Sequence, residues 1–163
     1  MNSGKTGVDR FEIVSGVTPD ALAAVRDIFA EYAALPHNVG RQTGTEEELA
    51  RLPAPYEPPA GDILTAWLDS RVVGCVVLAR LEVDACEMKR LYVRDEARGL
   101  GLGRRLVEAV ITRGRELGYA RMLLDTAPEL AAARGLYAAL GFRRIEPYHA
   151  RYADPICFSY DLG

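Results

Sequence analysis

Cysteine, histidine and lysine are scarce in this chain of 163 residues, and each shortage closes off a class of function. The three cysteines, Cys75, Cys86 and Cys157, are odd in number, far apart and form no CxxC pair. A disulfide framework or a cysteine zinc site does not fit that spacing, and a reducing, cytoplasmic compartment suits it best. Cys75 lies within the apolar stretch Val72–Val77 and reads as a buried core thiol. His37 and His149 are too few and too separated to argue for a metal, so none is expected. No apolar run approaches a bilayer span and no signal-peptide core is present, so no membrane partner is expected. Twenty basic residues against 23 acidic ones leave a net charge of −3, which supplies no polybasic surface for nucleic acid. Apart from Lys5 and Lys89 every basic residue is arginine, a skew that genome composition alone can produce. Gly4-Lys5-Thr6 lacks the upstream glycine and the preceding strand of a phosphate loop and is set aside.

What remains is a chain with 49% apolar residues, enough for a real core, and a length suited to one domain. A single domain over 1–163 is expected, with a flexible N-terminus over 1–10. Phe11–Val17 reads as a strand. Thr18-Pro19-Asp20 then offers a cap, a proline for the first turn and an early acid, ahead of a helix with Leu22, Val25, Phe29 and Tyr32 on one face. Thr45-Glu46-Glu47-Glu48 matches a capping box for a shorter helix, and Pro53, Pro55, Pro58 and Pro59 forbid regular structure around Tyr56. Ile63–Leu68 and Val72–Leu78 form a hairpin of β-branched-rich strands. Leu102, Leu106, Val107, Val110, Ile111 and Leu117 stripe a long helix stopped by Gly118. Arg121–Asp125 is a strand, Pro128 opens a helix that Gly141 closes, and two strands follow near Phe142–Glu146 and Ile156–Leu162. The fold class is therefore α/β in the mixed sense, a central mixed sheet flanked by helices.

Two segments break the pattern. The strand Ala85–Val93 carries Glu87, Lys89 and Arg90, which suits either an exposed edge strand or an interior strand with a working site. The second is Arg98-Gly99-Leu100-Gly101-Leu102-Gly103-Arg104-Arg105, between a strand and a helix start. Glycines without Cβ let the backbone approach a ligand, and the N–H groups of the first helical turn point at the same place, an arrangement suited to a pyrophosphate. Between Ala97 and Val107 there are three arginines and no acid. A dinucleotide fold also has such a loop, with Asp125 as its ribose acid. Arg104 at the third small position and the intervening Arg94–Ala97 both depart from that fingerprint.

Arg98-Gly99-Leu100-Gly101-Leu102-Gly103 resembles the Arg/Gln-x-x-Gly-x-Gly/Ala loop of the GNAT superfamily of acyl-CoA-dependent N-acetyltransferases. The family's other landmarks follow in order: Glu87–Val93 before the loop, Gly118-Tyr119 after the helix, then Leu136-Tyr137 and Gly141-Phe142. The resemblance implies a mostly antiparallel sheet and transfer of the acetyl group of acetyl-CoA to a primary amine, small molecule or peptide, by direct attack in a ternary complex. It implies that Leu91, Tyr92 and Val93 meet the pantetheine through their main chain, and that Arg98, Gly99, Leu100, Gly101, Leu102, Gly103 and Arg104 cradle the pyrophosphate. Glu87 matches the family's glutamate base, or else pairs with Lys89 or Arg90. Tyr137 matches the tyrosine aimed at the coenzyme sulfur, or else is a core residue. An asparagine that many members place before that tyrosine has no counterpart in Pro128–Ala131. Tyr56 and the loop with Tyr148, His149 and Tyr152 are candidate acceptor walls. With Arg41 or Arg151 they would suit a small amine bearing a carboxylate. A homodimer is compatible with the resemblance, and a non-catalytic acyl-CoA-binding module is the alternative from another class.

Overall fold

The computed structural model describes residues 10–39, 41 and 45–163, so the expectations for 1–9, including Gly4-Lys5-Thr6, lie outside the described residues. Among the described residues seven strands form one sheet: β1 (Phe11–Ser15), β2 (Asp62–Leu68), β3 (Arg71–Arg80), β4 (Ala85–Val93), β5 (Arg121–Thr126), β6 (Arg143–Ile145) and β7 (Ile156–Asp161). Their order is β1-β2-β3-β4-β5-β7-β6. Every pairing is antiparallel except β4 with β5. A dinucleotide fold is built on a mostly parallel sheet, whereas here only β4 and β5, the pair flanking the glycine loop, run parallel, so the sheet departs from that fold.

Among the described residues four α-helices accompany the sheet: α1 (Leu22–Ala33), α2 (Glu46–Arg51), α3 (Leu102–Glu116) and α4 (Ala131–Leu140). The α3 stripe places Leu102, Leu106, Val107, Val110 and Ile111 in one core with Val73, Val76, Met88 and Met122, and Tyr137, Phe142 and Phe158 join it. The α1 side chains Val25, Ile28 and Phe29 build a second core with Ile63, Val72, Cys75 and Val77. Burying each such side chain contributes about 1.5–3 kcal/mol, which fixes the sheet between its helices. The Thr45 hydroxyl accepts from the Glu48 N–H at 3.2 Å, as the capping box requires. Two boundary expectations fail. Thr18 caps only a 3-10 turn, without a side-chain bond, and Pro128 lies ahead of α4, whose N-cap is Leu130.

The position of β4 decides the function. It is interior, between β3 and β5, so its charges are not those of an edge. It pairs with β5 only from Ala85 to Glu87, opposite Arg121 to Leu123. Beyond that the two strands part and leave a notch along Lys89–Val93. In the same stretch Val76 of β3 faces two residues, Arg90 and Leu91, because Cys75 pairs with Tyr92 and Val77 with Lys89. Arg90 adopts a positive φ of 54° at this bulge. The bulge reverses the strand's alternation: Met88 belongs to the α3 core, whereas two residues past the bulge Tyr92 belongs to the α1 core.

Candidate active site

The glycine loop meets α3 through Gly99 at φ 76° and Gly101 at φ 78°, the left-handed region that favours glycine. Gly101 is the N-cap and offers no side chain. The first helical bond runs from Arg105 N–H to Gly101 carbonyl at 3.2 Å, so the N–H groups of Leu102, Gly103 and Arg104 have no helical acceptor. These donors, with the positive end of a 15-residue helix behind them, fit an anion. A Cβ at Gly99 would meet no atom within 4 Å, so that side of the loop is open.

The arginines contribute less than the sequence suggests, because acids just outside the segment reach them. Arg98 donates to the Val93 carbonyl at 3.0 Å and pairs with Asp95 at 2.8 Å. Arg104 pairs with Glu108 at 3.1 Å, one helical turn on. Arg105 reaches toward the β1 edge of the sheet and donates to the Phe11 carbonyl at 3.2 Å. The Leu102 side chain lies in the core, while Leu100 is exposed. Leu91 and Val93 are half-buried. The Tyr92 side chain turns to α1, where its hydroxyl donates to Glu31 at 2.7 Å. Burial, then Glu31, raises its pKa to about 12. Any ligand contact at Tyr92 is therefore a main-chain one.

Beside the notch, Glu87 is buried, and its nearest partner is neither of the two that the sequence offers. Arg151, 64 residues away, grips it with two nitrogens, at 2.5 Å on Oε2 and 3.2 Å on Oε1. The Tyr148 hydroxyl donates to Oε2 at 2.6 Å. Lys89 reaches only to 4.0 Å, and Arg90 instead pairs with Glu48. Tyr56 closes that second group: its buried hydroxyl donates to Glu48 at 3.0 Å and accepts from Arg90 at 3.0 Å. Tyr56 is thus a fixed wall, whereas Tyr148 touches the carboxylate directly.

Asp125, near the end of β5, joins the same cluster. His149 donates from Nε2 to its Oδ2 at 2.7 Å, and the tautomer follows because His149 Nδ1 accepts from the Arg151 N–H at 3.3 Å. The Tyr152 hydroxyl donates to Oδ1, and Arg151 Nη2 stands 4.0 Å from Oδ2. Arg41 stacks on the Tyr152 ring at 3.7 Å, tying the segment after α1 to this loop. Burial first, then the neighbouring carboxylates, pushes the Tyr148 and Tyr152 phenols well above their ordinary range, so both stay protonated donors. Glu87, Asp125 and His149 each offer a ligand atom, all within 4.8 Å, a spacing that the sequence separation of the histidines hid. The Glu87 and Asp125 oxygens of this group already accept hydrogen bonds from Arg151, Tyr148 and Tyr152.

Tyr137 is buried against Phe142 and Phe158, with centroids at 5.8 and 6.0 Å. Its hydroxyl has no hydrogen-bond partner among the described residues, although Tyr32 and Asp125 lie close enough to act on it. Burial is the main reason its pKa stands far above the ordinary tyrosine value. The residue is therefore packed in the core and presents an uncommitted donor within reach of Asp125. The pairings of Glu87 with Arg151 and of Asp125 with His149 were not legible in the sequence, because no local pattern links 87 to 151 or 125 to 149.

Residues 22–142 match the acetyltransferase (GNAT) family. An uncharacterized N-acetyltransferase of Schizosaccharomyces pombe is 43% identical over 113 residues, covering 68% of each chain. A GNAT-family acetyltransferase from Staphylococcus aureus superposes with a TM-score of 0.79 at 19% identity, over 94% of this chain and 99% of that one. An acetyltransferase from Salmonella typhimurium, solved with acetyl-CoA, superposes with a TM-score of 0.73 at 20% identity, over 94% of both. With a splayed β4–β5 notch, an uncapped glycine-led helix and a family match across three quarters of its length, this chain belongs to the acetyltransferase (GNAT) family.

Proposed function

We propose that the protein moves the acetyl group of acetyl-CoA to a primary amine by direct attack while both substrates are bound. The observation that carries this reading is the notch: unpaired β4 main chain beside Leu91 and Val93, leading from the uncapped α3 N-terminus to the Glu87 cluster. The main chain of Gly99–Arg104 binds the pyrophosphate, and Leu91 and Val93 align the pantetheine. A main-chain N–H at the bulge hydrogen-bonds the thioester carbonyl and stabilises the negative charge that grows there during attack.

An alkylamine with a pKa near 10.4 lies about 3.4 units from neutrality at pH 7, a deprotonation cost of roughly 4–5 kcal/mol. Glu87 receives that proton. Because both its oxygens are engaged, the shortest route runs through Tyr148, whose hydroxyl passes its proton to Glu87 as it accepts one from the amine. Tyr137 serves the leaving sulfur. A thiol has a pKa near 8.5, so even an unshifted phenol is the weaker acid by about 1.5 units, or about 2 kcal/mol. Tyr137, with its pKa raised further by burial, keeps its proton and stabilises the thiolate by a hydrogen bond.

Thiol release from acetyl-CoA across a panel of amino acids, polyamines, aminoglycosides and peptides tests the reading. Amine-dependent release supports it. Coenzyme binding without turnover for any amine would favour a non-catalytic acyl-CoA-binding module.

A further inference from the structure

We propose that Lys89 sets acceptor specificity, and that the acceptor is an amino acid or a related small amine whose carboxylate pairs with the Lys89 ammonium. This rests on the acetyl-transfer reading above. Lys89 stands on β4 next to the bulge, where the strand has parted from β5. It lines a cavity of about 500 Å³ with Arg51, Ala54, Tyr56 and Arg90, a size suited to a small molecule.

The charges around it leave one cation over. Glu87 is held by both Arg151 nitrogens, and Glu48 by Arg90 and Tyr56. Lys89 has a single ion contact among the described residues, to Glu87 at the 4.0 Å limit, and its neighbours Arg90 and Arg151 repel it. Glu47 and Arg51 also line the cavity, exposed and of opposite sign, so the rim adds no net charge. Burial, and then Arg90, lowers the Lys89 pKa, and the attraction of Glu87 and Glu48 does not offset them. An anion in the cavity supplies what the protein withholds.

The other end of the site has the opposite sign. Asp125 is close enough to act on the Tyr137 phenol, and its carboxylate is partnered by His149 and by Tyr152. Arg151, 4.0 Å away, is committed to Glu87 by its two short bonds. A ligand with an ammonium toward Asp125 and a carboxylate toward Lys89 matches both ends and places its nitrogen on the Tyr137 side. An amine without a carboxylate leaves the Lys89 charge as it is in the free protein.

The test compares kcat/KM within matched pairs that differ by one carboxylate: phenylalanine and phenethylamine, leucine and isopentylamine. Wild-type protein should favour the carboxylate member by about tenfold or more, through KM rather than kcat, as one charge-assisted hydrogen bond warrants. Lys89→Met should bring that ratio to within about threefold of one, and Lys89→Arg should restore most of it. The ratio is taken within one variant, so a general loss of folded protein cancels. A wild-type ratio near one, or one that Lys89→Met leaves intact, overturns the proposal while the transfer reading stands. No thiol release with any amine overturns the transfer reading, and this proposal with it.

Discussion

Replacing Glu87 by glutamine separates a proton acceptor from a structural ion-pair partner, because Arg151 supplies the matching control. The carboxylate is buried, with two contacts to Arg151 and one to Tyr148. Glutamine keeps one acceptor oxygen but turns an NH2 group toward Arg151 or Tyr148, both of which are donors. That mismatch costs about 1–3 kcal/mol, felt mainly in how firmly the 147–155 loop is held, and discounted because Arg151 is half exposed. Loss of the base removes a further factor of about 10²–10⁴ in turnover. Arg151→Met loosens the same loop yet leaves the acid and Tyr148 in place, so its loss in kcat should be at least tenfold smaller. The assay is thiol release at saturating acetyl-CoA, and the chain's own cysteines do not interfere. All three are buried, and burial drives the Cys75 and Cys86 thiols up to about 12. A second readout uses amine basicity: the Glu87→Gln deficit should shrink below about tenfold for a weakly basic aromatic amine, which is already neutral at pH 7. A Glu87→Gln enzyme within threefold of wild type, or an Arg151→Met enzyme equally impaired, would refute the base assignment.

Three further outcomes are expected. Tyr137→Phe should lower kcat by about 10–100-fold, the scale of one lost transition-state hydrogen bond, with acetyl-CoA affinity by calorimetry and the shape of the pH–rate curve unchanged. Gly99→Ala should raise KM for acetyl-CoA at least tenfold. Its new Cβ meets no protein atom, so thermal unfolding should show only the left-handed backbone penalty of about 1–2 kcal/mol. Lys89→Met should leave the melting temperature unchanged or raised at pH 7, since it removes a desolvated charge. The folded-state pKa of Lys89 lies below the unfolded value of 10.5. Below the folded value the wild type therefore bears the full penalty, which fades as pH rises toward 10.5 and the folded lysine releases its proton first. The variant's advantage in denaturant titrations should shrink over that window.

Local rules made most of the fold legible. The 3.6-residue stripe from Leu102 to Ile111, the Thr45 capping box and the β-branched hairpin each satisfy a short-range requirement, and each forms as read. The glycine loop was legible for the same reason, since its backbone geometry is a property of adjacent residues. The errors came where short-range signals compete or pair at a distance. Pro128 offered a helix start, but α4 begins three residues later. Arg98 and Arg104 read as free because Asp95 and Glu108 lie just outside the segment. The charged β4 was ambiguous between edge and interior, because the answer depends on β5 lying alongside it and then departing. The Glu87–Arg151 and Asp125–His149 contacts depend on the whole chain returning through β7, and no spacing within the sequence encodes them.

Direct attack with both substrates bound is the central claim, and initial velocities with acetyl-CoA varied against a reactive amino acid test it most directly. Intersecting double-reciprocal lines, with no acetyl group on the protein by intact mass after acetyl-CoA alone, are the predicted result. Parallel lines with a stoichiometric acetyl adduct would place a covalent enzyme intermediate on the path and contradict it.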